Sequence, residues 1–487
     1  MKKTISICLL CAMLLSAAAC AEKQEETISN QTSEQLSTAE PEEELDSLEA
    51  RKKVSDNLPA FDGEGRPFTM LVQHEWSDDA GVEAMTGDPL NDAIYERNLN
   101  VGNRFNVAIG YEDGGNHSDM SAKVRKTVQS DDDAYDLCLA HIIQTGSDVT
   151  NNLYMNLNEI NYIDPSRPWY PQFSVQASEL NGKRYALVSD IAISSCHQTY
   201  CIYFNKKIGA DYGISDTEIY DKVKSGAWTI DALDEYTRGI YSDLNGNGRR
   251  DDKDLFGNKT LLYYSFNFLW AFDQPILSVE DDTFELAINC EKTVNILDKL
   301  YSFYYENDGT RRIGYEESKK AFAQGESFFL MCHFIPALRE LREMEMPYGL
   351  VPFPKWDETQ ESYKTTIDGG FDVMVVPMTV RDTDFSGLMA EALSAESWKS
   401  VLPKFYDISL KVKGIRDEES IAMVDEILNN RVIDFSYMYT GWDGFNFIIS
   451  DMLNAKKGGD KFASTYKSLE KKATKVYQKK FDFFFNS

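Results

Sequence analysis

Six oxygen-bearing positions between residues 243 and 254 are spaced as a hard cation requires. Asp243, Asn245 and Asn247 stand at positions 1, 3 and 5 of a twelve-residue loop, with Gly248 at position 6, Asp251 at position 9 and Asp254 at position 12. Arg249 offers its backbone carbonyl at position 7. Ca²⁺ takes six to eight oxygens, and Asp/Asn alternating at this spacing around a tight glycine turn converge on one point. Asp at position 12 is shorter than the usual Glu, which limits the reach of the last ligand. The residues point to a structural calcium ion, because an oxygen cage leaves no open position for chemistry. The competing expectation is an Asx-rich surface turn without an ion.

No pattern for covalent catalysis accompanies the loop. There is no GxSxG elbow, HExxH pair, P-loop or GxGxxG. The five histidines, at 74, 117, 141, 197 and 333, lack metal-ligand spacing. Of eight cysteines, Cys138, Cys196, Cys201, Cys290 and Cys332 fall in the body of the chain, an odd number without a CxxC pair. They are expected to be buried thiols, with Cys196–Cys201 the nearest pair for a single bridge.

The N-terminus fixes the compartment. Lys2 and Lys3 precede an apolar run from Ile5 to Leu15, then Ser16-Ala17-Ala18-Ala19 leads into Cys20. Residues 1–19 read as a secretory signal. The cut site resembles the lipobox of bacterial lipoproteins, with Ala17 where Leu is usual, and the resemblance implies a lipid on Cys20. Residues 20–57 are rich in Glu, Ser, Thr and Gln, and are expected to form a disordered tether that cannot offset its ordering entropy by burial. No later stretch carries the eighteen or so apolar residues that span a bilayer. The chain is expected on the outer face of the cell membrane, held only through the lipid, or in the periplasm.

Composition bounds the remainder. About 430 residues follow the tether, enough for two or three domains, and 43% hydrophobic with 12% aromatic residues permits a large core. Fifty basic against seventy-nine acidic residues give a net charge of −29, which repels nucleic acid and favours a soluble monomer.

The elements that would position these residues alternate between strand and helix. Strands are expected at 68–73, 107–109, 135–140, 200–204, 328–331, 348–351 and 373–376. Helices are expected over 88–106 and 121–128, with a largely helical C-terminal third in which Asp460 caps a helix over 461–480. This rhythm predicts an α/β fold with mostly parallel sheets flanked by helices. Trp228, before the expected N-cap Thr229, reads as a structural staple.

Several runs together carry a family resemblance. Asn205-Lys206 closes a strand, Ser225-Gly-Ala-Trp-Thr-Ile-Asp231 precedes the Asp243 loop, Ala321-Phe-Ala-Gln-Gly-Glu-Ser327 precedes an apolar strand, and Tyr348-Gly-Leu-Val-Pro-Phe-Pro354 follows. In this order they resemble bacterial extracellular solute-binding proteins of family 1, the carbohydrate type. The resemblance implies a two-lobe, type II periplasmic-binding-protein-like fold with a hinge, a sugar held between the lobes, and delivery to the permease of an ABC transporter. It places lobe 1 at 58–197 and 348–404 and lobe 2 at 198–347 and 405–487.

A sugar receptor needs aromatic faces and side chains that pair hydroxyls, in a cleft that sheds water. The resemblance places that cleft at loops carrying His74, Glu75 and Trp76, then His141, then Ser195, His197 and Gln198. Lobe 2 would add Phe268, Trp270, Asp273, His333 and Phe334. Phe371 follows the return crossing, and Trp442-Asp443 interrupts the helical third. Trp76 and Trp442 are expected to be exposed, whereas Phe268 and Trp270 fit a core equally well. A peptide or other polyol receptor of the same fold, and a secreted glycosidase using paired carboxylates, remain alternatives. A scaffold anchor is disfavoured, since such modules carry the calcium loop in tandem and here it occurs once.

Overall fold

Runs of β-branched and aromatic residues pair into two separate sheets in the computed structural model, which describes residues 48–280, 282–411 and 418–486. The signal segment, Cys20 and the tether up to residue 47 lie outside the described residues. The strands of the two large sheets are, in chain order, β1 (Pro67–Val72), β2 (Ala108–Asp113), β3 (Leu137–His141), β4 (Tyr200–Asn205), β5 (Leu255–Thr260), β6 (Thr310–Arg312), β7 (Ser327–His333), β8 (Tyr348–Val351) and β9 (Asp372–Val375).

The first sheet runs β9-β3-β1-β2, with β1 parallel to β2 and β3, and β9 antiparallel to β3. The second runs β6-β5-β7-β4-β8, with β5 parallel to β6 and β7, and β4 antiparallel to β7 and β8. Both have a parallel core flanked by an antiparallel strand that arrives from the other lobe, and in the second sheet β8 lies outside that strand at the edge. Parallel strands need covering on both faces, and accordingly β1, β3, β4 and β7 are nearly all buried.

Three chain passages join the lobes and hydrogen-bond to one another. Asp368 N donates to Gln198 O at 2.9 Å, Tyr200 N to Thr366 O at 3.3 Å, and Val432 N to Thr365 O at 2.8 Å. The passages near 198, 366 and 431 therefore form one narrow ribbon between two sheets, the geometry of a hinge.

Several expectations are corrected. β8 pairs with β4, so the expected boundary at 348 falls inside the second sheet, and the first sheet resumes only at Asp372. Residues 405–487, expected wholly in lobe 2, divide between lobes. The helix Phe435–Thr440 packs on Ile142–Val149 of the first lobe, and Ile448–Asn454 packs on the second lobe's Leu262–Asn267. The tether does not extend to 57: Leu48–Lys53 is helical, and Val54, Leu58 and Phe61 pack on the core. Those apolar residues, interleaved with charge, supply the anchor that composition averaging hid. Asp460 lies in a short 3₁₀ turn, and the last helix runs Phe462–Asn486, placing its lysines mid-helix rather than in a terminal turn.

Thr229 does cap a helix, accepting from Ala232 N at 3.3 Å, and Trp228 beside it is fully buried with Nε1 on Pro352 O at 2.8 Å. All five body cysteines are free, and Cys138, Cys196, Cys201 and Cys332 are buried. No helix among the described residues is long and apolar enough to cross a membrane.

Candidate functional site

The C-terminal ends of β1 and β3 from one sheet, and of β5 and β7 from the other, meet at the hinge ribbon. In open α/β sheets this is where ligands settle. At the centre is Asp368, on the second passage. Its carboxylate accepts from the Tyr200 hydroxyl and from Gly370 N, the latter at 3.2 Å. Burial pushes its pKa up, Tyr200 and Gly370 pull it down, and nearby Glu75 pushes it up again. Tyr263, Tyr264 and Tyr437 are close enough that this carboxylate raises their own pKa values.

Glu75 follows β1 and stays accessible, yet crowding raises its pKa while Arg339, beyond β7, lowers it. These two groups carry opposite charge across the lobes. Trp76 is only 4% exposed, which corrects the expectation of an exposed ring. Its Nε1 donates to Gly370 O at 2.5 Å, tying β1 to the second passage. A tryptophan this close to a glycine-rich crossing buries its face more readily than it offers it.

His197 lies between the rings of Trp76 and Phe405, 5.2 Å from each centroid. Neither of its ring nitrogens has a partner among the described residues, and the same holds for Gln198 Oε1 and His333 Nδ1. His333 Nε2 lies 3.2 Å from the Tyr315 hydroxyl. Burial first, then Arg339 for His197 and Lys319 for His333, pushes both pKa values down to about 3. The neutral His197 thus keeps both its donor and its acceptor, and His333 keeps one of the two. Ser195 and Phe334 are buried beside them, Ser195 Oγ within 3.5 Å of Arg431 and Phe334 against Phe405 at 6.2 Å.

On the other flank His141, whose pKa burial and His117 push down to about 4, lies with its ring 5.2 Å from that of His117 and tilted against it. His117 in turn meets the edge of Trp442 at 5.8 Å. Trp442 is 59% exposed, as the glycine-flanked turn suggested, and Asp443 beside it lies 3.8 Å from Lys472. Trp442 also lowers the pKa of Tyr263, a residue of the second lobe.

Other candidates lie apart. Phe268 packs in the core against Phe272 and Phe353, and Trp270 is buried against Phe266 and Tyr437. Phe371 is fully buried and contributes its carbonyl to Ile142 N. Asp273 is exposed and paired with Lys364 at 2.7 Å, and His74 is exposed and paired with Asp113 at 2.6 Å. Sequence reasoning passed over Asp368, Tyr263, Arg339 and His117. Asp368 had a signal, a carboxylate immediately before Gly369-Gly370 at the return crossing.

The Asp243 loop is folded around its own side-chain oxygens. Asp243 accepts from Asn247 N at 3.3 Å and Gly248 N at 2.7 Å, and Asn247 Oδ1 accepts from Arg249 N at 2.7 Å. Asn245 and Asn247 amides donate to Asp251 at 3.2 and 2.8 Å. Asp254 is fully buried, and its Oδ2 accepts from Asp251 N at 2.9 Å and the Tyr241 hydroxyl at 3.1 Å. Its Oδ1 has no partner among the described residues, in a loop of acidic and amide oxygens. Among the described residues no group of three or more His, Cys, Asp or Glu side chains is gathered as metal ligands, so calcium at this loop stays an expectation.

No protein-family model matches the chain, and no curated protein matches it in sequence. Solved structures do match in shape. A cyclo/maltodextrin-binding protein complexed with maltotetraose superposes with a TM-score of 0.55 at 14% identity, over 86% of this chain and 98% of that one. The extracellular solute-binding protein of Staphylococcus aureus, solved with maltose, gives 0.55 at 13% identity over 87% and 98%. An ABC substrate-binding protein of Listeria monocytogenes, solved with cycloalternan, gives 0.52 at 12% over 86% and 98%. The chain has the periplasmic-binding-protein fold. The two-lobe plan expected from the sequence is thereby confirmed, with the boundaries moved as described.

Proposed function

We propose that this chain is a carbohydrate receptor that captures an oligosaccharide between its lobes, unaltered, and passes it to an ABC transporter permease. One observation carries the reading. Where the two sheets meet, neutral imidazoles and a buried glutamine with unspent hydrogen-bonding capacity stand beside an exposed indole. That mixture suits a ring with hydroxyls around its rim and C–H bonds on its faces, while a charged solute would meet Glu75 and Arg339 of opposite sign. The fold neighbours named above hold maltotetraose, maltose and cycloalternan, which supports a glycan over a peptide.

Two accessory features belong to the same proposal. Cys20 would carry the lipid that keeps the receptor at the outer membrane face. Calcium would be held by Asp243, Asn245, Asn247, the Arg249 carbonyl, Asp251 and Asp254, supplying charge that stabilises the loop below β5. The function is tested by a thermal-shift screen with mono- and oligosaccharides, polyols and peptides, since a ligand that binds only the folded form raises the melting temperature. A rise with glycans alone supports the reading; a rise with peptides alone replaces it.

A further inference from the structure

The last helix, Phe462–Asn486, carries a stripe of lysines on its outward face. We propose that this face is a docking surface for an anionic lipid bilayer, its ammonium groups meeting headgroup phosphates, and that it turns one side of the receptor to the membrane. The consequence for transport rests on the receptor reading; the docking itself does not.

Residues 456–480 hold nine lysines against two acidic residues, in a chain whose net charge is −29. Along the helix Phe462, Tyr466, Ala473, Tyr477 and Phe481 are buried and mark one face. Lys467, Lys471, Lys475 and Lys479 recur at every fourth residue and, at about 100° per residue, centre on the opposite face, where all four are exposed. Lys467 pairs with Glu470 at 3.1 Å, and Lys472 beside the stripe lies 3.8 Å from Asp443. Lys471, Lys475 and Lys479 form no ion pair among the described residues. Like charges four residues apart repel, so this spacing works against the helix that carries it. A face that needed only solubility would gain it from alternating signs, which attract at the same spacing. The stacked lysines therefore require an anion outside the chain.

The helix is a fixed platform for them. Phe481 and Phe484 pack on Phe435, and the inward-turned Lys480 ammonium donates to Gly146 O. Asn181 Nδ2 donates to Phe484 O at 3.2 Å. Four ammonium groups in a row of about 18 Å suit a planar array of phosphates better than a compact anion, which would meet only one or two of them. A lipid on Cys20, proposed above, brings the chain to a bilayer but selects no face of it. The stripe supplies that selection, and a basic patch joined to a lipid anchors more firmly than either alone. At physiological ionic strength charges are screened beyond about 8 Å, so phosphates under the helix respond to its lysines and little to the acidic surface farther away.

The test is flotation with vesicles of phosphatidylcholine alone, or of phosphatidylcholine and phosphatidylglycerol in equal parts. The protein is the chain after residue 19 with Cys20→Ala, so that no acyl chain contributes, and no glycan is present. Partitioning onto the mixed vesicles at low salt is expected, with none onto phosphatidylcholine. Binding is expected to vanish at about 1 M salt, where screening shortens to about 3 Å. The triple variant Lys471→Gln/Lys475→Gln/Lys479→Gln is expected to partition about tenfold more weakly or worse, and the corresponding Glu variant not at all, at an unchanged melting temperature. Lys53→Glu/Lys126→Glu/Lys320→Glu makes the same change of net charge as the Glu variant at scattered exposed positions and is expected to lose less than about threefold. Equal losses in the two Glu variants, equal binding to neutral vesicles, or no binding to mixed vesicles would overturn the docking surface and leave the receptor reading intact. Retention on a soluble polyanion such as heparin, without vesicle binding, would overturn it as well and assign the stripe to a polymer.

Discussion

His197 shows how much a single buried group can set. Held between Trp76 and Phe405, it stays neutral down to about pH 3, whereas in the unfolded chain it takes a proton near 6.5. Between these values the unfolded state binds the extra proton, so the stability present at neutral pH is lost as pH falls. Asp79, Asp190 and Glu391, each pushed up to about 7 by burial, act in the opposite sense: the folded state keeps protons the unfolded chain releases, and stability is lost as pH rises from about 4 to 7. The whole-protein profile mixes these terms, so a variant comparison isolates one. Urea unfolding of His197→Phe is expected to gain about 2 kcal/mol relative to the unaltered protein between pH 7 and pH 5; parallel profiles would remove the buried neutral imidazole. At the Asp243 loop, chelator is expected to lower the melting temperature and added Ca²⁺ to restore it in the unaltered protein. Asp254→Ala is expected to be indifferent to both. The Asp243 loop and the candidate histidines were visible in the sequence as residue types. The neighbours that set their environment, such as Arg339 beside His197 and His333, were not, because they come from passages far away in the chain.

At the scale of elements, strands with uniformly apolar residues were legible, and β5 was not. Leu255–Thr260 carries Gly257, Asn258 and Lys259, residue types depleted in strands, yet Asn258 and Lys259 are fully buried. Lys259 is satisfied by Glu326 at 3.0 Å and Asp252 O at 2.8 Å, and partners of this kind cannot be seen from a window of six residues. Gly257 permits the approach of Thr237, whose carbonyl would lie 2.3 Å from an added Cβ. Gly257→Ala is therefore expected to lower stability by about 1–3 kcal/mol, read as an earlier urea midpoint, through forced backbone displacement. An unchanged midpoint would mean that β5 and the Ile230–Thr237 helix are not packed this closely. The same neighbourhood logic explains the misplaced boundary at 348: the apolar run of β8 announced a strand, but only the open edge of β4 decided which sheet received it.

For the molecule as a whole, the alternation of strands and helices and the order of short motifs indicated two α/β lobes, and the paired sheet plans bear this out. What sequence could not place was the C-terminal third, whose helices serve both lobes and bring Trp442 to the site. Three hydrogen-bonded passages make the link between lobes narrow, so relative lobe movement strains few contacts and a ligand touching both sides can favour one arrangement. Capture without chemistry is the central claim, and it is most directly checked by mixing the protein with the best glycan from the thermal screen and analysing both fractions after ultrafiltration. One glycan bound per chain, recovered at its original mass after prolonged incubation, is expected. Recovery of shortened products would instead make the site that of a hydrolase.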